Sequence, residues 1–163
     1  MRWLHDYPFI NERLNEMKIL DKFKNLNYTY YDNCEKIETE YNRMFDILKS
    51  SGYTLGATED GLTLDGGILL ENDDDVVAGA FFNITKFKNS VIILTIFVEE
   101  EYRKNGIYTK MHSLIDDIGN EHNKQAVYSH IHSKNDLMQQ HVAKSIGYET
   151  VMHVVRRPIK KNM

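Results

Sequence analysis

The chain has 163 residues, of which 42% are hydrophobic and 27% charged, as in a globular domain with one core. The formal net charge of −4 argues against nucleic-acid binding, which requires a basic surface. Its one cysteine, Cys34, excludes an intramolecular disulfide and suits a helix start better than a nucleophile, which would require a base beside it. The sequence has no leader-like segment and no apolar run long enough to span a membrane. We therefore expect a single cytoplasmic domain over residues 1–163.

The first predicted elements are a helix, a short strand and a second helix. Apolar residues near helical spacing favour a helix around 10–25, and the aromatic run at 28–31 is typical of a short edge strand. Asp32 and Glu35 have the spacing of a capping box, which predicts that a helix begins there. Apolar residues recur on one face of this helix, and Gly52 suits its end.

The middle of the chain predicts a β-hairpin followed by a central strand. The segments 61–72 and 76–87 flank three aspartates, which is the pattern of two strands and a polar turn. The aspartates at 73–75 lack the spaced ligand set of a calcium loop, so we predict no metal site. The run VIILTIFV at 91–98 is almost wholly apolar, as in a strand that is covered on both faces.

The remaining elements alternate between helix and strand. An amphipathic helix closed by Gly119 is followed by a strand at 126–133, a helix closed by Gly147 and a last strand at 148–158. From residue 61 onward the order is β-β-β-α-β-α-β. This order predicts an α/β fold in which helices flank a mixed sheet.

The turn between strand 91–98 and the next helix has the composition of an anion site. The first amides of a helix lack partners within it, and the helix dipole is positive there. Gly106 permits close approach to the backbone, and Arg103 adds a forked positive charge. Lys104 fits a solvated role as well as a binding one. The stretch predicts a phosphate-binding turn, with an ordinary solvated loop as the alternative.

Two blocks of the sequence resemble the GNAT superfamily of acyl-CoA N-acyltransferases. In that family a pyrophosphate loop of the form Q/R-x-x-G-x-G/A follows a strand that ends in Val, and here Val98 is followed by Arg103 and Gly106. The family's second block is an Asn after a strand, then a short helix and Gly-Phe or Gly-Tyr. This chain has Asn135 and Gly147-Tyr148 in that order. The resemblance extends from the predicted hairpin to the last predicted strand.

The resemblance implies a GNAT-like fold and acetyl-CoA as the co-substrate. Strands 91–98 and 126–133 would run parallel and splay apart, with the pantetheine arm between them. A backbone N–H near Phe97 or Val98 would polarise the thioester carbonyl, and an amine would attack it without a covalent enzyme intermediate. The residues implied to bind the cofactor are Ile96, Phe97, Val98, Arg103, Lys104, Asn105, Gly106, Ile107, Tyr108 and Asn135.

The family's proton-transfer residues are not evident in this chain. Where many members have a Tyr that protonates the leaving thiolate, this chain has Ala143 or Val142, depending on the residue from which the count starts. His141 is the candidate acid, with a core-facing side chain as the alternative, and water could also supply the proton. Some members carry a Glu base on strand 91–98, where this chain has Thr95.

His130 and His132 are the candidate bases, because they share one face of strand 126–133. A base is required only if the acceptor amine arrives protonated, and a structural or solvent-facing histidine is the alternative for each. Tyr108 stands where the family's loop prefers a small residue. Its place on the apolar side of the helix also fits core packing.

The sequence leaves three functions open. The leading one is transfer of an acetyl group from acetyl-CoA to a primary amine of a small molecule or protein. The missing Tyr and Glu favour, as the alternative, a GNAT-fold module that binds CoA or a partner without turnover. Acetylation of aminoacyl-tRNA is disfavoured by the acidic net charge. Only one strand follows Gly147 where the family has a hairpin, which leaves an exposed sheet edge. Because such edges tend to be covered, we expect a homodimer. We expect no membrane partner, since no apolar run is long enough to span a membrane.

Overall fold

A computed structural model describes residues 17–51 and 62–129 of the chain. In chain order the elements are β1 (Met17–Phe23), β2 (Leu26–Asp32), α1 (Glu35–Ser50), β3 (Gly66–Glu71), β4 (Val76–Asn83), β5 (Ser90–Val98), α2 (Ile107–Glu121) and β6 (Ala126–Ser129). The predicted helix closed by Gly147 and the predicted strand 148–158 lie outside these residues. Neither described helix is long and apolar enough to cross a membrane.

The six strands form one mixed sheet in chain order from β1 to β6. Neighbouring strands are antiparallel from β1 to β5, whereas β5 and β6 are parallel. The parallel pairing begins at Ser90 opposite Ala126 and is described as far as Ile93 opposite Ser129. The predicted α/β fold with a mixed sheet is therefore confirmed, as is the hairpin formed by β3 and β4.

The two helices pack on opposite faces of the sheet. Each is amphipathic, so each buries one apolar stripe. The α1 stripe packs on a cluster formed with the inner residues of β3, β4 and β5, which are Leu69, Phe81, Leu94 and Phe97. The α2 stripe packs on the opposite face and consists of Ile107, Met111, Leu114, Ile115 and Ile118. The sheet is thus covered on both sides where β4 and β5 run.

Two glycines let α1 lie close to the sheet. A Cβ atom at Gly67 would lie 3.1 Å from Cδ1 of Ile37, and one at Gly79 would lie 2.9 Å from Sδ of Met44. Ile37 and Met44 are the fully buried residues of α1. Side chains at these two sheet positions would therefore occupy the space that the helix uses.

The helix predicted around 10–25 is wrong from residue 17 onward, where the chain forms β1. A bulge between Ile19 and Asp21 adds one residue to β1 opposite β2. As a result Leu20 and Phe23 pack on the same core cluster although they are three residues apart. The bulge thus gives part of a strand an apolar interval of three residues, which helices also show. Residues 10–16 lie outside the described part.

Two further details of the N-terminal prediction are wrong. β2 is not an edge strand, because it pairs with β1 on one side and with β3 on the other. Asp32 is not part of a capping box, since α1 has Cys34 as its N-cap and no side-chain cap bond. The Asp32 carboxylate accepts a hydrogen bond from the Tyr30 hydroxyl instead, at 2.5 Å. The end of α1 is at Ser50, and Gly52 lies outside the described residues.

The aspartate-rich turn between β3 and β4 is organised by an asparagine. The side-chain oxygen of Asn72 accepts hydrogen bonds from the backbone amides of Asp74 at 2.9 Å and Asp75 at 2.8 Å. A short polar side chain that bonds to the backbone in this way stabilises a tight turn. Within residues 17–51 and 62–129, no three His, Cys, Asp or Glu side chains are arranged to hold a metal ion.

Candidate functional site

A β-bulge in β5 changes which residues of its second half face α2. Phe81 of β4 pairs with Thr95, whereas the next residue, Phe82, pairs with Ile93, so Leu94 is one extra residue in β5. Such a residue bends its strand and interrupts the ladder. On the α2 side the core residues of β5 are therefore Val91 and Ile93 before the bulge, and Ile96 and Val98 after it.

The predicted pantetheine-binding residues form the end of β5 beyond the bulge. Ile96, Phe97 and Val98 pair with β4 residues, and Phe97 and Val98 are buried. The described pairing of β5 with β6 reaches only Ile93. The three residues therefore lie between the bulge and the turn that precedes α2. The predicted splaying of β5 from strand 126–133 concerns residues after Ser129 and lies outside the described part.

Residues 99–106, here called the link, connect β5 to α2. The backbone amide of Glu99 donates to Val77 O at 2.9 Å and so keeps the start of the link on β4. A short 3₁₀ turn follows at Glu100–Tyr102. Arg103 then folds back, and its Nε donates to Val98 O at 2.9 Å. Because this bond uses Nε, the terminal nitrogens of the guanidinium fork are kept for other partners.

Gly106 is the N-cap of α2 and has a left-handed backbone, with φ of 76°. Within residues 17–51 and 62–129, nothing lies within 4 Å of the position that a Cβ atom at Gly106 would take. The helix start has no side-chain cap bond and no acidic residue in its first turn. By contrast, α1 has Glu35 and Glu38 in its first turn. No acid of the helix's own first turn therefore offsets the positive end of the α2 dipole, and the one carboxylate that pairs with this turn in the described residues, Asp21, is bound by Lys110 at 2.5 Å. Such a helix start suits an external anion.

The side chains predicted to bind the cofactor differ in their hydrogen bonds and in their exposure. Asn105 is used within the link, since its Nδ2 donates to Tyr102 O at 2.9 Å and to Arg103 O at 3.2 Å. Ile107 is buried in the core, so only its backbone could reach a ligand. Lys104 is exposed and has a positive φ of 66°. A phosphate group would thus be held mainly by backbone amides and by Arg103.

Tyr108 is half-buried and does not belong to the core cluster that covers α2. Its ring lies beside His112, with 4.7 Å between the ring centroids. Both interpretations of Tyr108, cofactor binding and core packing, stay predictions. The remaining predicted site residues, Asn135, His130, His132 and His141, lie outside the described part of the chain.

Sequence reasoning missed a contact between α1 and the link. Arg43 of α1 lies with its Nη1 3.4 Å from Oε1 of Glu99. Its Nη2 also donates to Val76 O at 3.2 Å. Arg43 and Glu99 are 56 positions apart in the sequence, so no periodicity could have indicated the pair.

A second missed cluster lies on the α1 side of the sheet. The buried carboxylate of Glu71 is 2.6 Å from Nζ of Lys36 and accepts a hydrogen bond from the Tyr31 hydroxyl. Burial and the bond to Glu71 raise the pKa of Tyr31. The tyrosine is therefore kept as a neutral donor to the carboxylate. In this cluster Oε2 of Glu71 accepts the hydrogen bond, whereas Oε1 meets Lys36 as an ion pair without a hydrogen bond of good geometry. The contacts among the three side chains indicate a structural role.

We expect the Tyr41→Phe variant to be at least as stable as the wild type. Among the described residues the buried Tyr41 hydroxyl has no hydrogen-bond partner, and the Tyr41 ring packs edge-on against Phe81, with 5.2 Å between the centroids. An unsatisfied buried hydroxyl costs about 1–3 kcal/mol, whereas phenylalanine retains the ring contact. Urea unfolding would measure the difference in free energy of unfolding. A loss of more than about 1 kcal/mol would show that the hydroxyl has a stabilising partner.

Comparison with known proteins places this architecture in one family. A model of the Acetyltransferase (GNAT) family matches residues 21–148. Comparison with curated protein sequences finds no match. The solved structures below share the fold with this chain.

The aminoglycoside acetyltransferase AAC(6')-Iy, in complex with a bisubstrate analogue of CoA, has a TM-score of 0.58 and 12% identity over 90% of this chain and 100% of its own. A possible acetyltransferase from Clostridium difficile 630 has a TM-score of 0.56 and 16% identity over 81% of this chain and 97% of its own. The aminoglycoside acetyltransferase meta-AAC0020, from an uncultured soil sample, has a TM-score of 0.53 and 12% identity over 80% of this chain and 95% of its own. At these identities the likeness concerns the fold. The family match covers most of the chain, and the chain therefore belongs to the GNAT family of acetyltransferases.

Proposed function

We propose that the protein transfers an acetyl group from acetyl-CoA to a primary amine. The observation that carries the proposal is the start of α2, where an uncapped helix with no acid in its first turn begins at Gly106, directly after the bulged strand. In a chain of an acetyltransferase family, a site of this kind suits the pyrophosphate of CoA. The acceptor would be a small molecule or a protein amino group.

The fit of a pyrophosphate to the link rests on three features. No described residue occupies the space in front of Gly106, and the first amides of α2 have no acceptor within the helix. Arg103 supplies a forked charge that suits phosphate oxygens. The backbone of Ile96, Phe97 and Val98 would hold the pantetheine arm. Asn135, which follows strand 126–133, would complete the site.

Acetyl-CoA supplies a thioester whose carbonyl carbon is the electrophile. The neutral acceptor amine attacks that carbon, and a backbone N–H near Phe97 or Val98 would stabilise the negative charge that develops on the oxygen. The C–S bond then breaks, the thiolate of CoA leaves, and the nitrogen loses one proton. This proton passes to solvent, and His141 or water would protonate the thiolate. His130 or His132 would act earlier, by removing the proton of an amine that arrives charged, directly or through water.

Titration calorimetry and thiol release test the proposal together. We expect acetyl-CoA to bind between micromolar and low-millimolar concentration, and free thiol to appear with at least one amine of a panel. The panel should contain a polyamine, an aminoglycoside and a peptide with a free amino group, because aminoglycoside acetyltransferases share this fold. No binding of acetyl-CoA to the folded protein would refute the proposal. Binding without thiol release from any amine would favour a CoA-binding module.

The catalytic roles of the three histidines stay predictions. We expect each of the variants His130→Gln, His132→Gln and His141→Gln that removes a catalytic group to slow acetyl transfer and to retain the affinity for acetyl-CoA. General acid–base catalysis contributes about 10²–10⁴-fold to rate. Steady-state kinetics and calorimetry on the same variants would separate the two effects.

A homodimer and a cytoplasmic location also stay predictions. Sedimentation analysis would check the homodimer.

A further inference from the structure

Arg43 joins three parts of the molecule that meet at the start of the link. Its Nε and Nη2 lie 2.9 Å and 2.8 Å from Oε1 of Glu40, one turn earlier in α1. Nη2 also donates to Val76 O, in the first residue of β4, at 3.2 Å. Nη1 reaches Oε1 of Glu99, the first residue after β5, at 3.4 Å. A single guanidinium thus holds α1, β4 and the link together.

The surroundings of Arg43 favour a fixed geometry over a loose surface pair. The side chains of Glu40 and Arg43 are 15% and 38% exposed, and that of Glu99 is 32% exposed. Partial burial acts to lower the pKa of Arg43, but the bonds to Glu40 and Glu99 outweigh it and the pKa is raised. A guanidinium bonded to several acceptors loses less side-chain freedom per bond than a lysine would.

The position of Glu99 connects this contact to the acyl-CoA site. Glu99 follows Val98, whose carbonyl accepts the bond from Arg103. Its own amide is bonded to Val77 O at 2.9 Å. Glu99 is the first residue of the link, so its position affects the path of the link and the direction of the first α2 amides. An anion site made of backbone amides depends on that direction.

We propose that Arg43 is a positioning residue for acetyl-CoA, which by holding Glu99 against β4 and α1 fixes the link that binds the pyrophosphate. This inference rests on the proposed function, because it assumes that acetyl-CoA binds at the start of α2. It assigns a role in cofactor binding to a residue of α1, which contributes no atom to the predicted CoA site.

Simple charge effects predict the opposite outcome for Glu99. Removing an acid near the binding site of a polyanion strengthens binding through reduced repulsion. If Glu99 positions the link, its removal weakens binding instead. Glu101 provides the matched control, because it is an exposed acid of the same link and, among the described residues, forms no ion pair.

Calorimetric titration of the full chain with acetyl-CoA decides between the two outcomes, with melting temperatures measured in parallel. We expect Glu99→Ala to weaken binding about 3- to 10-fold, as for the loss of one or two hydrogen bonds. Glu101→Ala should bind as the wild type does or slightly more tightly. Glu99→Gln retains an acceptor oxygen for Arg43 and should restore part of the affinity.

Arg43→Lys keeps the charge but cannot reach Glu40, Val76 and Glu99 together, so we expect it to weaken binding as Glu99→Ala does. This variant decides the matter if Glu99→Ala fails to fold. Equal affinities for Glu99→Ala and Glu101→Ala, or wild-type affinity for Arg43→Lys, would overturn the inference alone. Failure of the wild type to bind acetyl-CoA would overturn the proposed function and the inference with it.

Discussion

Replacing Gly106 with valine is expected to weaken acetyl-CoA binding by at least about tenfold, which is 1.4 kcal/mol. The φ of 76° at Gly106 lies in the left-handed region, which costs a residue with a Cβ roughly 1–2 kcal/mol and a β-branched residue more. The valine side chain would also enter the open space in front of the helix start. Both effects act on the amides that are proposed to bind the pyrophosphate, and calorimetric titration would measure the loss.

Two further variants separate backbone strain from blocking at this position. Asparagine tolerates the left-handed region, so Gly106→Asn should retain the melting temperature and still weaken binding, because its side chain occupies the same space. Gly119→Ala is the control, since its Cβ would lie at an ordinary 3.4 Å from Cγ2 of Val91. It should bind acetyl-CoA normally and be about 0.5–1 kcal/mol more stable. Wild-type affinity in Gly106→Val would refute the assignment of this helix start as the anion site.

The elements around the candidate site could be predicted because their signals are local. Three such signals occur in sequence, which are an apolar run long enough for one strand, a glycine and an amphipathic stretch. Each can be recognised from a few neighbouring residues. The structure accordingly has β5 at Ser90–Val98 and α2 from Ile107 onward, with Gly106 at their junction. The roles of Arg103 and Gly106 stay predictions, which rest on the need of a phosphate site for a charge and an open backbone at that junction.

The features that could not be predicted depend on pairing between distant segments. The bulge at Leu94 is defined by the register of β5 with β4, and the bulge in β1 by the register of β1 with β2. The contact of Arg43 with Glu99 joins two surface-like charges that no pattern connects. Periodicity describes one segment at a time, so it does not contain this information.

Replacing Gly79 with alanine is expected to destabilise the fold by about 1–3 kcal/mol, as overpacking of a close-packed core does. The added Cβ would lie 2.8 Å from Cε2 and Cζ of Phe81 and 2.9 Å from Sδ of Met44. Replacing glycine also restricts the unfolded chain, which would stabilise by about 0.4–1 kcal/mol. The clash is the larger effect because Phe81 is fully buried and cannot move into solvent. Urea unfolding of Gly79→Ala beside Gly119→Ala would measure it.

A double-mutant cycle identifies Phe81 as the source of that clash. Phe81→Leu alone should cost about 1–2 kcal/mol, because it leaves space in the cluster beneath α1. In the double variant the methyl group of Ala at position 79 enters the space that the aromatic ring has left. The two substitutions should therefore cost at least about 1 kcal/mol less together than the sum of their separate costs. Strictly additive costs would mean that Met44 or the backbone of α1 absorbs the strain, and the close seating of α1 on the sheet would then depend on the helix and not on the aromatic ring.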